Sequence, residues 1–246
     1  MDVSRVLAVR HTRAPWIAGQ VLLVLAGIAA YFLIRGQTEA SAGLARAHAA
    51  HLIDLEQSIH LDVETQVQQA VRSSEAVETV ANWIYIWGHW PVLIATMVWL
   101  VWRHRPQFLR LRDAMLVSGA LGMLVFVTYP VAPPRLAGPG YVDTVTESSE
   151  AYRYLQPPAI VNQYAAMPSL HVGWDLLAGI AIFSATSSVL LRVVACLMPA
   201  LMAWAVIATG NHYLVDVLAG VTLVLIGHLV SLALERRRAR RAGPSP

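Results

Sequence analysis

Six apolar runs constrain this chain more than any other feature in it. They extend over Trp16–Ile34, Trp83–Trp102, Ala114–Val131, His171–Ser187, Val189–Thr209 and Tyr213–Leu234. A bilayer crossing takes about 20 residues of helix, because lipid offers no partner for an open backbone N–H or C=O. Hydrophobic residues make up 57% of the chain and charged ones only 13%, which excludes an ordinary soluble domain. The fourth run is the shortest and carries Asp175 within it. No internal repeat or low-complexity tract divides the sequence. The expected fold is all-α: an integral membrane bundle of six transmembrane helices forming one domain over residues 1–246.

Every basic side chain is arginine, and lysine is absent. Arg5, Arg10 and Arg13 precede the first run; Arg103, Arg105, Arg110 and Arg112 join the second to the third. Arg192 lies near the junction of the fourth and fifth, and Arg236, Arg237, Arg238, Arg240 and Arg241 follow the sixth. Six crossings put all four groups on one side, which the positive-inside rule makes cytoplasmic. The other side carries only Arg35, Arg46, Arg72, Arg135 and Arg153. The expected location is the cytoplasmic (inner) membrane, with both termini inside. Trp83, Trp87 and Trp90 then mark the outer interface, and Trp16, Trp99 and Trp102 the inner one. The basic tails are accounted for by topology and anionic lipid headgroups, so no nucleic-acid partner is expected. The first run is too long for a signal peptide and lacks a small-residue cleavage site, so it reads as a retained crossing. The lone Cys196 lies in the fifth run, and no disulfide is expected.

Two polar regions fall on the outer side. In 39–81, Leu52, Leu55, Ile59 and Val63 recur at helical spacing, with Asp54, Glu56, Gln57 and Glu64 among them. That pattern predicts one or two extracytoplasmic amphipathic helices, packed on the spans along one side and wet along the other. His48, His51 and His60 are expected to face solvent there. Region 132–166 is rich in Pro, Gly, Tyr and Ser and is expected to be an outer loop, with Tyr141, Tyr152, Tyr154 and Tyr164 near the site. Its prolines end the third crossing and leave Arg135 at the outer surface.

Topology gathers the chemistry. The end of the third crossing, the start of the fourth and the turn between the fifth and sixth all reach the outer face. They carry Arg135, then Ser169 with His171, then Asn211 with His212 and Asp216. Ionisable side chains are rare in membrane helices and mark function there. His212 and Asp216, four apart, are expected to share a face of the sixth helix. Asp216 would fix one imidazole nitrogen and leave the other free to attack phosphorus. His171 would protonate the leaving oxygen and later take a proton from water or an acceptor hydroxyl. Backbone N–H groups near Ser169 would face an anion, and Arg135 would grip phosphate oxygens in a fork. Asp175 has two readings: it orients His171, or it only joins helices. His89 also has two readings: interface packing, or an edge of the site.

At these residues the chain resembles the type 2 phosphatidic acid phosphatase superfamily, and most of all the branch of inositol phosphorylceramide synthases and their bacterial relatives. The pieces that match are Pro133-Pro134-Arg135, Pro168-Ser169-Leu170-His171, and Gly210-Asn211-His212-Tyr213 through Asp216 and Gly220. The resemblance implies a six-helix bundle and metal-independent phosphoryl transfer without a cofactor. His212 would form a phosphohistidine, Asp216 would orient it, and His171 would act as acid and base. Where the superfamily carries a lysine-and-arginine element, this chain has Pro-Pro-Arg. Where the third motif often carries Ser-Arg, Ala205 and Val206 stand. Fewer fixed cations are therefore available to hold the phosphate.

The function expected is cleavage of a lipid phosphate, of polyprenyl or phospholipid type, at the outer leaflet. Transfer of a phospho-headgroup to an inositol, sugar or lipid hydroxyl shares the same first step. A non-catalytic membrane protein, in which the polar pairs merely join helices, and a metal site built from His171, His212, Asp175 and Asp216 stand as alternatives of other classes. The sequence implies no particular oligomer.

Overall fold

The computed structural model describes residues 14–27, 29–30, 42–138, 140–148 and 163–241. Arg5, Arg10, Arg13, Arg35, Arg153, Tyr152 and Tyr154, to which the sequence assigns a topological or loop role, lie outside the described residues. The chain forms two compact units, 1–39 and 40–246. The first contains the apolar helix α1 (Ala14–Gly27), with Val21, Leu22, Leu23 and Leu25 exposed along it.

The described part of the second unit is helical throughout: α2 (Ala42–Ser58), α3 (Glu64–Arg72), α4 (Glu75–Trp87), α5 (Trp90–Arg103), α6 (Arg105–Thr128), α7 (Pro134–Ala137), α8 (Thr144–Ser148), α9 (Leu170–Ala185), α10 (Val189–Ala208) and α11 (Leu214–Arg241). Three of these, α6, α10 and α11, are each long and apolar enough to cross a membrane. Their exposed residues are leucines, valines and isoleucines, such as Leu190, Leu197, Leu225 and Leu229. A wide apolar exterior of this kind suits lipid rather than water. The chain is a membrane protein on these grounds. Helix α9, at 16 residues, is a shorter apolar helix.

The second apolar run departs from the single helix expected of it. It breaks at Gly88–His89 into α4 and α5, bent by 43°, which pass the crossing test only as a pair. Proline opens α5 in its first turn, where its missing N–H leaves no helical bond unmade. A side chain at Gly88 would meet the Ile84 carbonyl oxygen at 2.4 Å. The break turns His89 inward, where it is only 3% exposed.

Helices α6 and α11 run antiparallel. At one end, the Arg110 guanidinium donates two hydrogen bonds of 3.0 Å to Glu235, while Arg112 and Arg238 both converge on Asp113. Toward the other end, Leu170 at the start of α9 lies against Gly122 of α6. The arginine-rich termini of α6 and α11 thus share one end of the unit, and the histidine motifs occupy the opposite end. Trp83, Trp87 and Trp90 are exposed near the histidine end, and Trp102 near the arginine end.

Helices α2 and α3 correct the expected amphipathic face. Leu55 and Ile59 are exposed, at 45% and 51%, whereas Glu56 and Glu64 are buried. The stripe that α2 turns inward is Ala45, Ala49, Leu52 and Glu56. Its small residues let the helix approach closely, and the buried carboxylate finds backbone donors, described below. His48 is also not free in solvent: its ring stacks on Tyr129, and its Nδ1 lies 2.7 Å from the Pro130 carbonyl oxygen. His51 and His60 are exposed, as expected.

Gly220 of α11 touches the backbone that opens α9. A Cβ there would fall 2.2 Å from the Ser169 carbonyl oxygen. Backbone cannot yield as a flexible side chain can, so Gly220→Val is expected to separate the two helices at a cost of about 3 kcal/mol or more. Folded yield and thermal midpoint in detergent check this, with Gly43→Ala, which meets nothing within 4 Å, as the neutral control. A Gly220→Val protein as stable as that control contradicts the close approach.

Candidate active site

The start of α11 organises the site. The segment Gly210–Tyr213 supplies no Ser, Thr, Asp or Asn at the position before Leu214, so the first amides of the helix lack a local side-chain cap. Distant carboxylates take that role. The Leu214 N–H donates to Glu64 Oε1 at 2.7 Å, and the Val215 N–H donates to Glu56 Oε1 at 2.7 Å. Asp216, in the first turn, accepts the Tyr213 N–H on Oδ2 at 2.9 Å. That bond is the returning half of a capping box.

His212 consequently precedes the helix, and the expectation that it shares a helical face with Asp216 is corrected. The chain turns at Gly210, whose φ of +70° is the left-handed region that glycine tolerates best. The His212 N–H donates to the Val206 carbonyl at 3.1 Å. Asp216 still reaches the imidazole from its own turn of helix: Oδ2 lies 3.4 Å from His212 Nδ1. That distance is long for a hydrogen bond, as catalytic contacts often are before substrate binds.

The second motif is fastened to the same turn. The Ser169 N–H donates to the Asp216 carbonyl at 2.9 Å. This amide is therefore committed within the protein, and does not face an anion as expected. What Ser169 offers is a fully buried hydroxyl with no hydrogen-bond partner among the described residues. Two residues on, the His171 ring lies 6.0 Å, centre to centre, from that of His212. Tyr85 of α4 stacks on the other side of His171 at 5.0 Å.

Arg135 arrives from α7. Its N–H donates to the Gly210 carbonyl at 3.0 Å, its guanidinium donates to Asn211 Oδ1, and its Nε lies 3.1 Å from Asp143. Asn211 is itself held by Thr209 Oγ1 at 2.8 Å. Asn211 thus bridges the α10 end to the arginine. The strap carrying Asp143 is anchored by Gln68 of α3, which donates to the Val142 carbonyl and accepts its N–H, and by Asn82 of α4 against Thr144. Arg135, Ser169, His171, Asn211, His212 and Asp216 all fall in one region of the second unit.

Asp175 does not turn to His171. It is fully buried, and its Oδ1 lies 2.7 Å from Nδ1 of His89, at the break between α4 and α5. His89 in turn packs 4.5 Å from the His171 ring. The sequence gives Glu56 and Glu64 no place at the site, and does not pair His89 with Asp175. Two signals for them were present: an uncapped helix start needs acceptors, and a carboxylate inside an apolar helix needs a partner.

A protein-family comparison matches residues 50–230 of the chain to the PAP2 superfamily. The chain belongs to the PAP2 superfamily. The match covers both histidine motifs and the two glutamates, Glu56 and Glu64, that cap α11. Superfamily members are generally phosphatases or phosphotransferases, so the chain is an enzyme of that broad type acting on lipid phosphate. Neither the curated proteins nor the solved structures compared include a match to it.

The capping carboxylates also make a pH prediction. Burial, reinforced by the neighbouring Glu64 and Asp216 charges, pushes Glu56 up to about 8. Burial raises Glu64 as well, and the two carboxyl groups hydrogen-bond each other. Folding then takes up a proton that the unfolded chain, with an ordinary glutamate, releases above about pH 4.3. This contribution to stability is full below that value and is lost as pH rises through about 8. The thermal midpoint is expected to fall over this interval, and Glu56→Gln, which is always neutral, is expected to flatten the fall and exceed the wild type at the alkaline end. Parallel profiles for the two proteins contradict the shared-proton cap.

Proposed function

We propose that this PAP2 superfamily member is an inner-membrane enzyme that cleaves a lipid phosphate, of polyprenyl or phospholipid type, through a phosphohistidine on His212. In this reading the chain crosses six times, with α4 and α5 as one bent crossing and both termini cytoplasmic. The outer helices and the histidine motifs then lie on the extracytoplasmic side. The observation that carries the chemistry is the approach of the His171 and His212 rings to 6.0 Å, at the end of the unit opposite the paired arginines. The Trp83, Trp87 and Trp90 cluster supports the assignment of that end to an interface.

The steps use these side chains without a metal ion or cofactor. Asp216 holds the His212 Nδ1–H, so the lone pair on Nε2 attacks phosphorus. As the N–P bond forms, the bond to the leaving oxygen breaks and His171 gives that oxygen a proton. Water then attacks the phosphorus, passes a proton to His171, and breaks the N–P bond. Arg135 and the Ser169 hydroxyl hold the phosphoryl oxygens, with Asn211 steadying Arg135.

Enclosure favours a second reading. His212 is 5% exposed and sits beneath the α2–α3 cap. A site that limits water suits transfer to an inositol, sugar or lipid hydroxyl, as in inositol phosphorylceramide synthase, because the intermediate survives until the acceptor arrives. The two readings share every residue role and differ only in the second acceptor.

The purified protein incubated with phosphatidic acid, polyprenyl phosphates and phospholipids, with and without inositol, separates them. Free phosphate release without acceptor supports hydrolysis; a new lipid that needs the polyol supports transfer. His212→Ala is expected to abolish either product while leaving folded yield near wild type. Asp216→Asn is expected to slow turnover by about 100-fold or more through loss of imidazole orientation. Wild-type turnover in His212→Ala removes the proposed nucleophile.

A further inference from the structure

The site contains two imidazole–carboxylate pairs, and the mechanism above uses only one. His89 and Asp175 come from different helices and are separated by 86 positions in sequence. Both are buried, at 3% and 0% exposure. Their 2.7 Å contact is shorter than the 3.4 Å contact between His212 and Asp216. A carboxylate buried this completely is costly unless its partner is positive and well placed. Among the described residues Asp175 Oδ2 has no hydrogen-bond partner, so the contact with His89 is what holds this carboxyl group in place.

Position decides what the pair does. The His89 ring lies 4.5 Å from His171, which lies 6.0 Å from His212. Trp174 stacks on His89, and Trp90 meets its edge. The ring is thereby clamped, with Nδ1 turned to Asp175 and Nε2 left over. The chain lacks lysine, and Arg135, steadied by Asp143 and Asn211, is the one guanidinium assigned above to the phosphoryl oxygens. A phosphoryl dianion entering here would meet little other fixed positive charge.

We propose that His89, oriented through Nδ1 by Asp175, is a phosphate-binding residue that gives an Nε2–H to a phosphoryl oxygen beside His171. The inference rests on the reading of this site as a phosphoryl-transfer site. His89 adds a second side-chain N–H donor to the one that Arg135 supplies. Asp175 is its positioning residue and is not an orienter of His171.

Orthovanadate, a mimic of the phosphoryl group in transfer, tests this in the full-length protein in detergent. The wild type is expected to bind it, and His89→Gln and Asp175→Asn to bind it about tenfold more weakly or worse, the effect of one charge-assisted hydrogen bond. Each variant leaves a buried group without its partner and is expected to lower the thermal midpoint, so binding is compared at a temperature where all three proteins are folded. Spectra of wild-type protein labelled with ¹⁵N-histidine require no variant: of the nine histidines, three imidazoles should move on adding vanadate. Binding by the wild type with unchanged affinity in the folded variants, or with only two imidazoles moving, overturns the role of His89 and leaves the proposed function standing. No binding by the wild type overturns the phosphoryl site together with this inference.

Discussion

Two buried glutamates on the first amides of α11 hold the rest of the site in register. Glu64 and Glu56 accept the Leu214 and Val215 N–H groups, and Asp216 accepts that of Tyr213. With those donors satisfied, the helix can begin under cover, next to His212, without a local capping side chain. The same turn then receives the α9 start through the Ser169 N–H on the Asp216 carbonyl, and α7 through the Arg135 N–H on Gly210. One short backbone segment thus joins the three parts of the chain that carry the candidate chemistry. Helices α2 and α3, which bear the two glutamates, are structural parts of the site.

Charge is divided between the ends of the second unit. At the arginine end, guanidinium groups meet Asp113 and Glu235 in partly open ion pairs. At the histidine end, carboxylates meet imidazoles and backbone amides, and burial is nearly complete. Ion pairs of the first kind tie α6 to α11 and suit a headgroup region. Buried carboxylates of the second kind are expensive unless every one is partnered, and here each has a partner: Glu56 and Glu64 on α11, Asp175 on His89, Asp216 on Tyr213 and near His212. Such an arrangement holds imidazoles at set distances while leaving ring nitrogens available for chemistry.

Much of this was legible in the sequence. Hydropathy marked the apolar helices, and the placement of arginines separated their two ends. The spacing of His171 and His212 across two apolar runs put both at one end, where their ring centres lie 6.0 Å apart. Other features resisted because they depend on long-range pairing. Periodicity in 39–81 favoured Leu55 and Ile59 as the inward face. Burial instead follows Ala45, Ala49, Leu52 and Glu56, because the α11 amides reward a carboxylate there. Asp175 lies one helical turn from His171, so local spacing suggested that partner; the break at Gly88–His89 supplies a better one. The interval from His212 to Asp216 suggested a shared helical face. The contact survives, although His212 stands before the helix, because Asp216 reaches back as a cap.

The central claim is that His212 becomes covalently phosphorylated. Wild-type protein quenched in alkali during turnover of a ³²P-labelled lipid phosphate, then digested and mapped by mass spectrometry, tests it most directly. The account predicts an alkali-stable, acid-labile phosphate on the His212 imidazole. Phosphate on another residue, or quenched protein with no covalent phosphate under conditions where the second step is rate-limiting, would contradict it.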